Sequence, residues 1–274
     1  MTRFSLIVAT MGRDAELRAL FDSILAQGFP DTEVIVVDQN ADARLVPVVA
    51  DYAGRLAITR LTRDRPHANA ARNMGLSAAT GDIVAFPDDD CVLPEGVLAH
   101  VARAFDNPAL SVLTGPAAAP EGGLGSGRWR AASGPIDPTN VWTSVIEFNL
   151  WLRRDVALDL GGFDEQMGPG ARYGSAEGND LVCRAVAAGR LALYDHGLRV
   201  IHPDKRLSDE AAERAHRYGL GLGFALRRHA PLATALPFYV RPLGGALLAL
   251  ARGRRAHAAY YWSTWWGRVQ GWLG

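Results

Sequence analysis

The stretch Gly81-Asp82-Ile83-Val84-Ala85-Phe86-Pro87-Asp88-Asp89-Asp90 decides the fold. Ile83 to Phe86 is a short apolar run of the kind that forms a buried strand, and Pro87 marks its end. Three adjacent carboxylates follow, an arrangement that is unfavourable without a cation among them. Mg²⁺ or Mn²⁺, hard ions that prefer oxygen ligands and bridge to phosphate, suit such a cluster. The purely structural alternative is an acidic turn that caps a helix starting near Pro94.

Upstream, the same grammar repeats. Phe4 to Ala9, Glu33 to Val37, Leu56 to Leu61 and Asp82 to Phe86 read as strands, separated by helical spacing such as Ala15 to Gln27 and Ala68 to Ala79. Strand-helix alternation predicts an α/β fold with a largely parallel sheet and helices on both faces. In such sheets ligands bind beyond the carboxyl ends of the strands. The residues there are polar: Thr10 and Arg13, then Asp38, then Asp88 to Asp90.

Downstream, residues 117–137 are rich in Gly, Pro and small side chains and read as a mobile loop, a lid by its length. An apolar stretch from Val145 to Leu152 and a helix from Asn179 to Ala188, ending at Gly189, fall in a half that should shape the second substrate's site. Ala230 to Leu250 is apolar but broken by Pro231, Pro237, Arg241 and Pro242, short of the roughly 20 clean residues of a membrane span. Arg252, Arg254, Arg255 and His257 then precede Tyr260, Tyr261, Trp262, Trp265, Trp266 and Trp272. That mixture fits a membrane interface, or equally a helical cap packed on the catalytic unit.

Lys+Arg and Asp+Glu number 29 each in the 274 residues, so the chain lacks the basic excess of a nucleic-acid binder. Cys91 and Cys183 lack metal or redox spacing and read as free thiols in a reducing cytoplasm. The apolar stretch after Phe4 is too short for a signal peptide, which gives the expectation of a cytoplasmic enzyme.

Several motifs now stand in a fixed order. Ser5 to Thr10, Val36-Val37-Asp38, Ala71-Arg72-Asn73-Met74-Gly75, Gly81 to Ile83 and the aspartate run are followed by Gly161-Gly162-Phe163-Asp164 and Glu177-Gly178-Asn179-Asp180-Leu181 to Arg184. Together, over roughly residues 4–205, they resemble the family 2 glycosyltransferases of GT-A fold. The resemblance implies a doubly wound, Rossmann-like mixed sheet. It places Thr10 and Arg13 beside the nucleotide and Asp38 on the base, commonly uracil. Arg72 and Asn73 would lie near the donor, and Asp88 and Asp90 form the outer carboxylates of an Asp-x-Asp motif. Asp90 would ligate the metal directly, Asp88 would act on ribose or on the metal through water, and Asp89 would either join the nucleotide-sugar site or turn to backbone donors. His202, after a late strand, would lie near the metal or the diphosphate.

Inverting members need a general base. Their motif, Glu-Asp followed by two residues, Leu and later Arg, places Gly178 where the Asp stands. Glu177 is then the first candidate and Asp180 the second; both also suit a helix N-terminus through its dipole.

The expected function is inverting, metal-dependent hexosyl transfer from a UDP-linked sugar to a glycan or lipid-linked acceptor in cell-surface polysaccharide synthesis. A location on the inner face of the membrane is expected, with no nucleic-acid partner. A sugar nucleotidyltransferase, for which Met11-Gly12-Arg13 is a poor phosphate loop, and a catalytically degenerate binding module are the alternatives. The expected organisation is a catalytic domain at 1–205, divided at 116, and a helical extension at 206–274.

Overall fold

Strand alternation sorts the core into two layers. In β1 (Phe4–Thr10), Leu6 and Val8 join one buried cluster and Ile7 the other. In β2 (Thr32–Asp38), Val34 and Val36 part from Ile35 and Val37 in the same way, as do Ile83 and Ala85 from Val84 in β4 (Ile83–Ala85). Such a sheet must be covered on both faces. The helices α1 (Ala15–Leu25) and α4 (Val97–Phe105) cover the first, and α3 (Ala68–Ala78) and α6 (Glu177–Ala187) the second.

The computed structural model describes residues 2–125, 127–203 and 211–274. The further elements are α2 (Leu45–Ala50), β3 (Ala57–Thr62), β5 (Leu110–Thr114), β6 (Ala117–Ala118), β7 (Gly134–Pro135), β8 (Leu150–Arg153), α5 (Arg154–Asp159), β9 (Leu191–Tyr194) and β10 (Val200–Ile201). The main sheet runs β3-β2-β1-β4-β8-β5-β9-β7. From β3 to β4 it is parallel, as the sequence implied. Beyond β4 it becomes mixed, because β8 lies antiparallel between β4 and β5. The segment expected to be a lid is pinned at both ends: β6 pairs with β10, and β7 with β9.

Three long helices end the chain: α7 (Ala211–His229), α8 (Leu232–Ala251) and α9 (Arg255–Leu273). The expected boundary at 205–206 lies outside the described residues. On α7 and α9, Gly219, Gly223, Gly267 and Gly271 let the backbones touch; a Cβ on Gly271 would sit 2.0 Å from the Leu220 carbonyl oxygen. Close approach of this kind needs residues without side chains.

The expected interruption of the apolar stretch is not observed, since α8 runs unbroken through Pro237 and Pro242. Pro242 has no N–H to offer the Phe238 carbonyl one turn back, and Arg268 of α9 donates to that oxygen instead. By length and composition alone, α8 could cross a membrane. Leu232, Leu236, Val240 and Leu247 are exposed along it.

Candidate active site

The ends of β1 and β10 and the helices α3 and α6 converge on the aspartate run that follows β4. Thr10, at the end of β1, donates its hydroxyl hydrogen to Asp89 Oδ2 at 2.7 Å. Arg13 spans Asp89 at 2.7 Å and Asp90 at 2.5 Å while remaining part exposed. His202, just after β10, places Nε2 3.2 Å from Asp90 Oδ1 and 3.8 Å from Asp88 Oδ2. On the sheet's other side Arg72 bridges Asp88 and Glu177, each at 3.0 Å, and lies over the Phe163 ring.

Asp88, Asp90 and His202 each offer a ligand atom within 4.8 Å of the others. Asp90 Oδ1 is buried with no hydrogen-bond partner, and His202 Nε2 stands 3.2 Å from it. A buried, unsatisfied carboxylate oxygen is costly unless something electropositive meets it. The O, O, N set suits Mn²⁺ or Mg²⁺. Charge agrees: among the described residues Asp88, Asp89, Asp90 and Glu177 pair with two guanidiniums, those of Arg13 and Arg72, a formal surplus of two negative charges beside the His202 imidazole.

Burial raises the Asp89 carboxyl above its usual range, and repulsion from Asp88 and Asp90 adds to this against Thr10 and Arg13. Burial acts the same way on Asp90, but His202 and Arg13 outweigh it and hold that carboxyl low.

The other residues singled out in the sequence are also placed. Asp38 is 1 % exposed, with Oδ1 accepting from the Asn40 backbone and side chain and Oδ2 from two guanidinium nitrogens of Arg60. These donors fill the four lone-pair positions of a carboxylate, so a base would reach it only by displacing one. Asn40 in turn accepts from the Gly12 N–H at 2.7 Å, which joins the ends of β1 and β2. Asn73 points to the loop after α5, donating to the Phe163 carbonyl and accepting from its N–H.

Glu177 and Asp180 both sit on the first turn of α6, behind Ala176, whose φ of 65° is strained for a residue with a side chain. Glu177 is 2 % exposed; Arg72 holds Oε1, and Oε2 is buried without a partner. Asp180 is fully buried beneath Arg184 at 2.8 Å, His229 at 2.7 Å and Arg228 at 3.3 Å. Burial would raise its carboxyl, yet the His229 hydrogen bond and the arginine charges hold it below the usual range.

Sequence reasoning missed Asn69, Glu147, Arg228 and His229. Fully buried Asn69 ties Arg72 to the 164–167 loop, accepting from Arg72 and donating to the carbonyls of Asp164 and Met167. Glu147 is a part-buried acidic residue before β8. Its signal was a lone acid inside the apolar run Val145 to Leu152; Asn69, Arg228 and His229 gave none.

The family model for "Glycosyl transferase family 2" matches residues 5–156, more than half of the chain and all of the aspartate run. The chain belongs to glycosyl transferase family 2. This family 2 chain is 32% identical over 234 residues to a pre-mycofactocin glycosyltransferase of Mycobacterium tuberculosis, covering 79% of this chain and 46% of that one. It is 28% identical to the O-antigen biosynthesis protein RfbC of Myxococcus xanthus, covering 67% of this chain and 17% of that one. It thus spans less than half the length of these curated relatives. Among solved structures it is similar to a mannosyltransferase from Pyrobaculum calidifontis in complex with GDP-Man and Mn²⁺, with a TM-score of 0.68, 19% identity, and 98% and 87% of the two chains covered. It is also similar to residues 1–349 of Staphylococcus aureus TarS in complex with UDP-GlcNAc, with a TM-score of 0.64, 16% identity, and 96% and 90% covered. At these identities the likeness establishes the GT-A fold.

Proposed function

We propose that this family 2 chain transfers a sugar from a nucleotide diphosphate donor to a glycan or lipid-linked acceptor, with inversion at the anomeric carbon and with divalent-metal dependence. The observation that carries this reading is the trio Asp88, Asp90 and His202 around a buried, unsatisfied carboxylate oxygen at the strand ends. Mn²⁺ or Mg²⁺ held there would supply the positive charge that offsets a departing diphosphate.

The protein's own groups divide the remaining work. Thr10 and Arg13 position Asp89 and Asp90. Arg72, held by Asn69, aims a fixed cation at the donor side. Asp38 acts on the nucleotide pocket through the side chains it holds, Asn40 and Arg60. A UDP-linked donor agrees with the UDP-GlcNAc named for TarS; the mannosyltransferase is named with GDP-Man, so a test must include both bases.

In this reading α6 borders the acceptor, and it meets the C-terminal helices through Arg228 and His229. Leu232, Leu236, Val240 and Leu247 are exposed on α8, Trp262 and Trp266 on α9, and Arg252, Arg254 and Arg255 where the two helices join. Apolar and aromatic side chains beside clustered cations fit the surface of an anionic bilayer. This reading places the enzyme on the inner face of the membrane, near a lipid-linked acceptor.

Nucleoside diphosphate release from UDP-glucose, UDP-GlcNAc and GDP-mannose, with Mn²⁺, Mg²⁺ or EDTA, tests the reading. Metal-dependent release above the protein-free background is expected from at least one donor. Background rates with every donor and metal would overturn it. Pyrophosphate production from UTP and a sugar 1-phosphate would favour a nucleotidyltransferase instead.

A further inference from the structure

An inverting transferase needs a carboxylate near the acceptor hydroxyl, yet the motif position that would supply it is Gly178. The two acids beside it are committed. Glu177 is enclosed with Oε1 tied to Arg72, and Asp180 lies beneath two guanidiniums and the His229 imidazole.

The space beside Gly178 belongs to another segment. A Cβ there would meet the Glu147 backbone, N and Cα both at 3.5 Å, and the Val145 side chain at 3.4 Å. Glu147 opens a single 3₁₀ turn, Glu147–Asn149, that is locked on both sides. Phe148 stacks on His202 of the metal trio, with centroids 4.6 Å apart. Asn149, fully buried, donates to the carbonyls of Pro116 and Leu198 and accepts from the Trp151 indole.

The turn therefore sets a carboxylate-bearing residue beside the vacant motif position, next to the Phe148 that stacks on His202. Resting on the transferase reading above, we propose that Glu147 is the general base, standing in for the carboxylate that Gly178 lacks. In the step it serves, the acceptor O–H proton passes to the Glu147 carboxylate as the acceptor oxygen bonds to the anomeric carbon. The bond from that carbon to the diphosphate oxygen breaks, and its electron pair leaves with the diphosphate.

The surroundings suit the role. Burial and the negative charge of Glu177 push the Glu147 carboxyl up to about 8, against the opposing charge of Arg72, while Asp88 raises it further. A base works best when its proton affinity lies near the operating pH. Glu177 thus assists by repulsion, an electrostatic part that its pairing with Arg72 leaves intact.

The test uses the full chain with water as acceptor, Mn²⁺ and the best of the three donors, and reads kcat, KM and the binding of UDP with Mn²⁺ by calorimetry. E147Q should lower kcat by about 10²-fold or more and leave KM and UDP binding within about threefold. A carboxylate returned from the neighbouring helix, in E147Q/G178D, should recover at least tenfold of the lost kcat; the contacts at Gly178 leave room for the Cβ. Wild-type kcat should rise to a plateau above pH 8 along a limb that E147Q lacks. E147Q turning over within threefold of wild type, or losing UDP binding in step with turnover, overturns the assignment alone. No release by the wild type from any donor overturns it together with the transferase reading.

Discussion

The Phe148 ring lies flat on the His202 imidazole, 4.6 Å between centroids and 6° between planes. It joins the turn carrying Glu147 to His202, so in the proposed mechanism one contact aligns the general base with the metal site. Phe148→Leu keeps the apolar volume but removes the flat face. Because partners that orient a ligand change metal affinity by about 10–100-fold, it should weaken Mn²⁺ binding about tenfold in a calorimetric titration. Unchanged affinity would separate the stacking from the metal.

Asp90→Ala removes the oxygen that is buried without a donor. Turnover should fall by about 10²-fold or more, the cost of losing a group that stabilises developing charge. The rise in melting temperature on adding Mn²⁺ should vanish, whereas the metal-free melting temperature should hold or increase.

Asp180 makes a pH prediction. Its folded carboxyl lies below the unfolded value of 3.8, held there by His229 and two arginines against burial. A depressed carboxyl stabilises above its unfolded value and loses that stabilisation as pH falls through the folded one. Thermal stability should therefore drop more steeply below pH 4 in the wild type than in Asp180→Asn. His229→Ala should cost about 1–3 kcal/mol at pH 7, since it strips a donor from a buried acceptor. Urea melts across the two variants measure both.

Pro242 and Arg268 form a testable pair. Arg268→Met leaves the Phe238 carbonyl without a donor and should cost about 1–3 kcal/mol. In Pro242→Ala the restored N–H serves that carbonyl, so Arg268→Met should cost little in that background. Equal costs in both backgrounds, by chemical denaturation, would show that the oxygen does not need the arginine.

Leu236→Glu with Leu247→Glu tests the membrane surface. Both residues are exposed, at 59 % and 61 %, so charging them should leave the fold intact. Co-sedimentation with anionic vesicles should fall at least fivefold. An unchanged bound fraction would remove the lipid surface as the partner of these helices.

The strand-helix alternation through β4 and the aspartate run were legible because each is a local pattern: Leu6 and Val8 against Ile7, or three acids after a proline. The place of β8 between β4 and β5 was not, since its four residues say nothing about which edges they will pair with. Glu177 could be found by motif register, but its pairing with Arg72, 105 positions away, could not. The continuity of α8 was hidden for the same reason: Pro242 reads as a break until Arg268 is seen beside it.

Arg228 and His229 belong to the last turn of α7, yet they answer a charge buried at the start of α6. A chain cut ahead of them would leave Asp180 with Arg184 as its one counter-charge among the described residues and deprive α6 of a fixed end. The terminal helices are therefore anchored to α6 through a buried charge, and grafting them onto another sheet would require an acid at the equivalent of position 180.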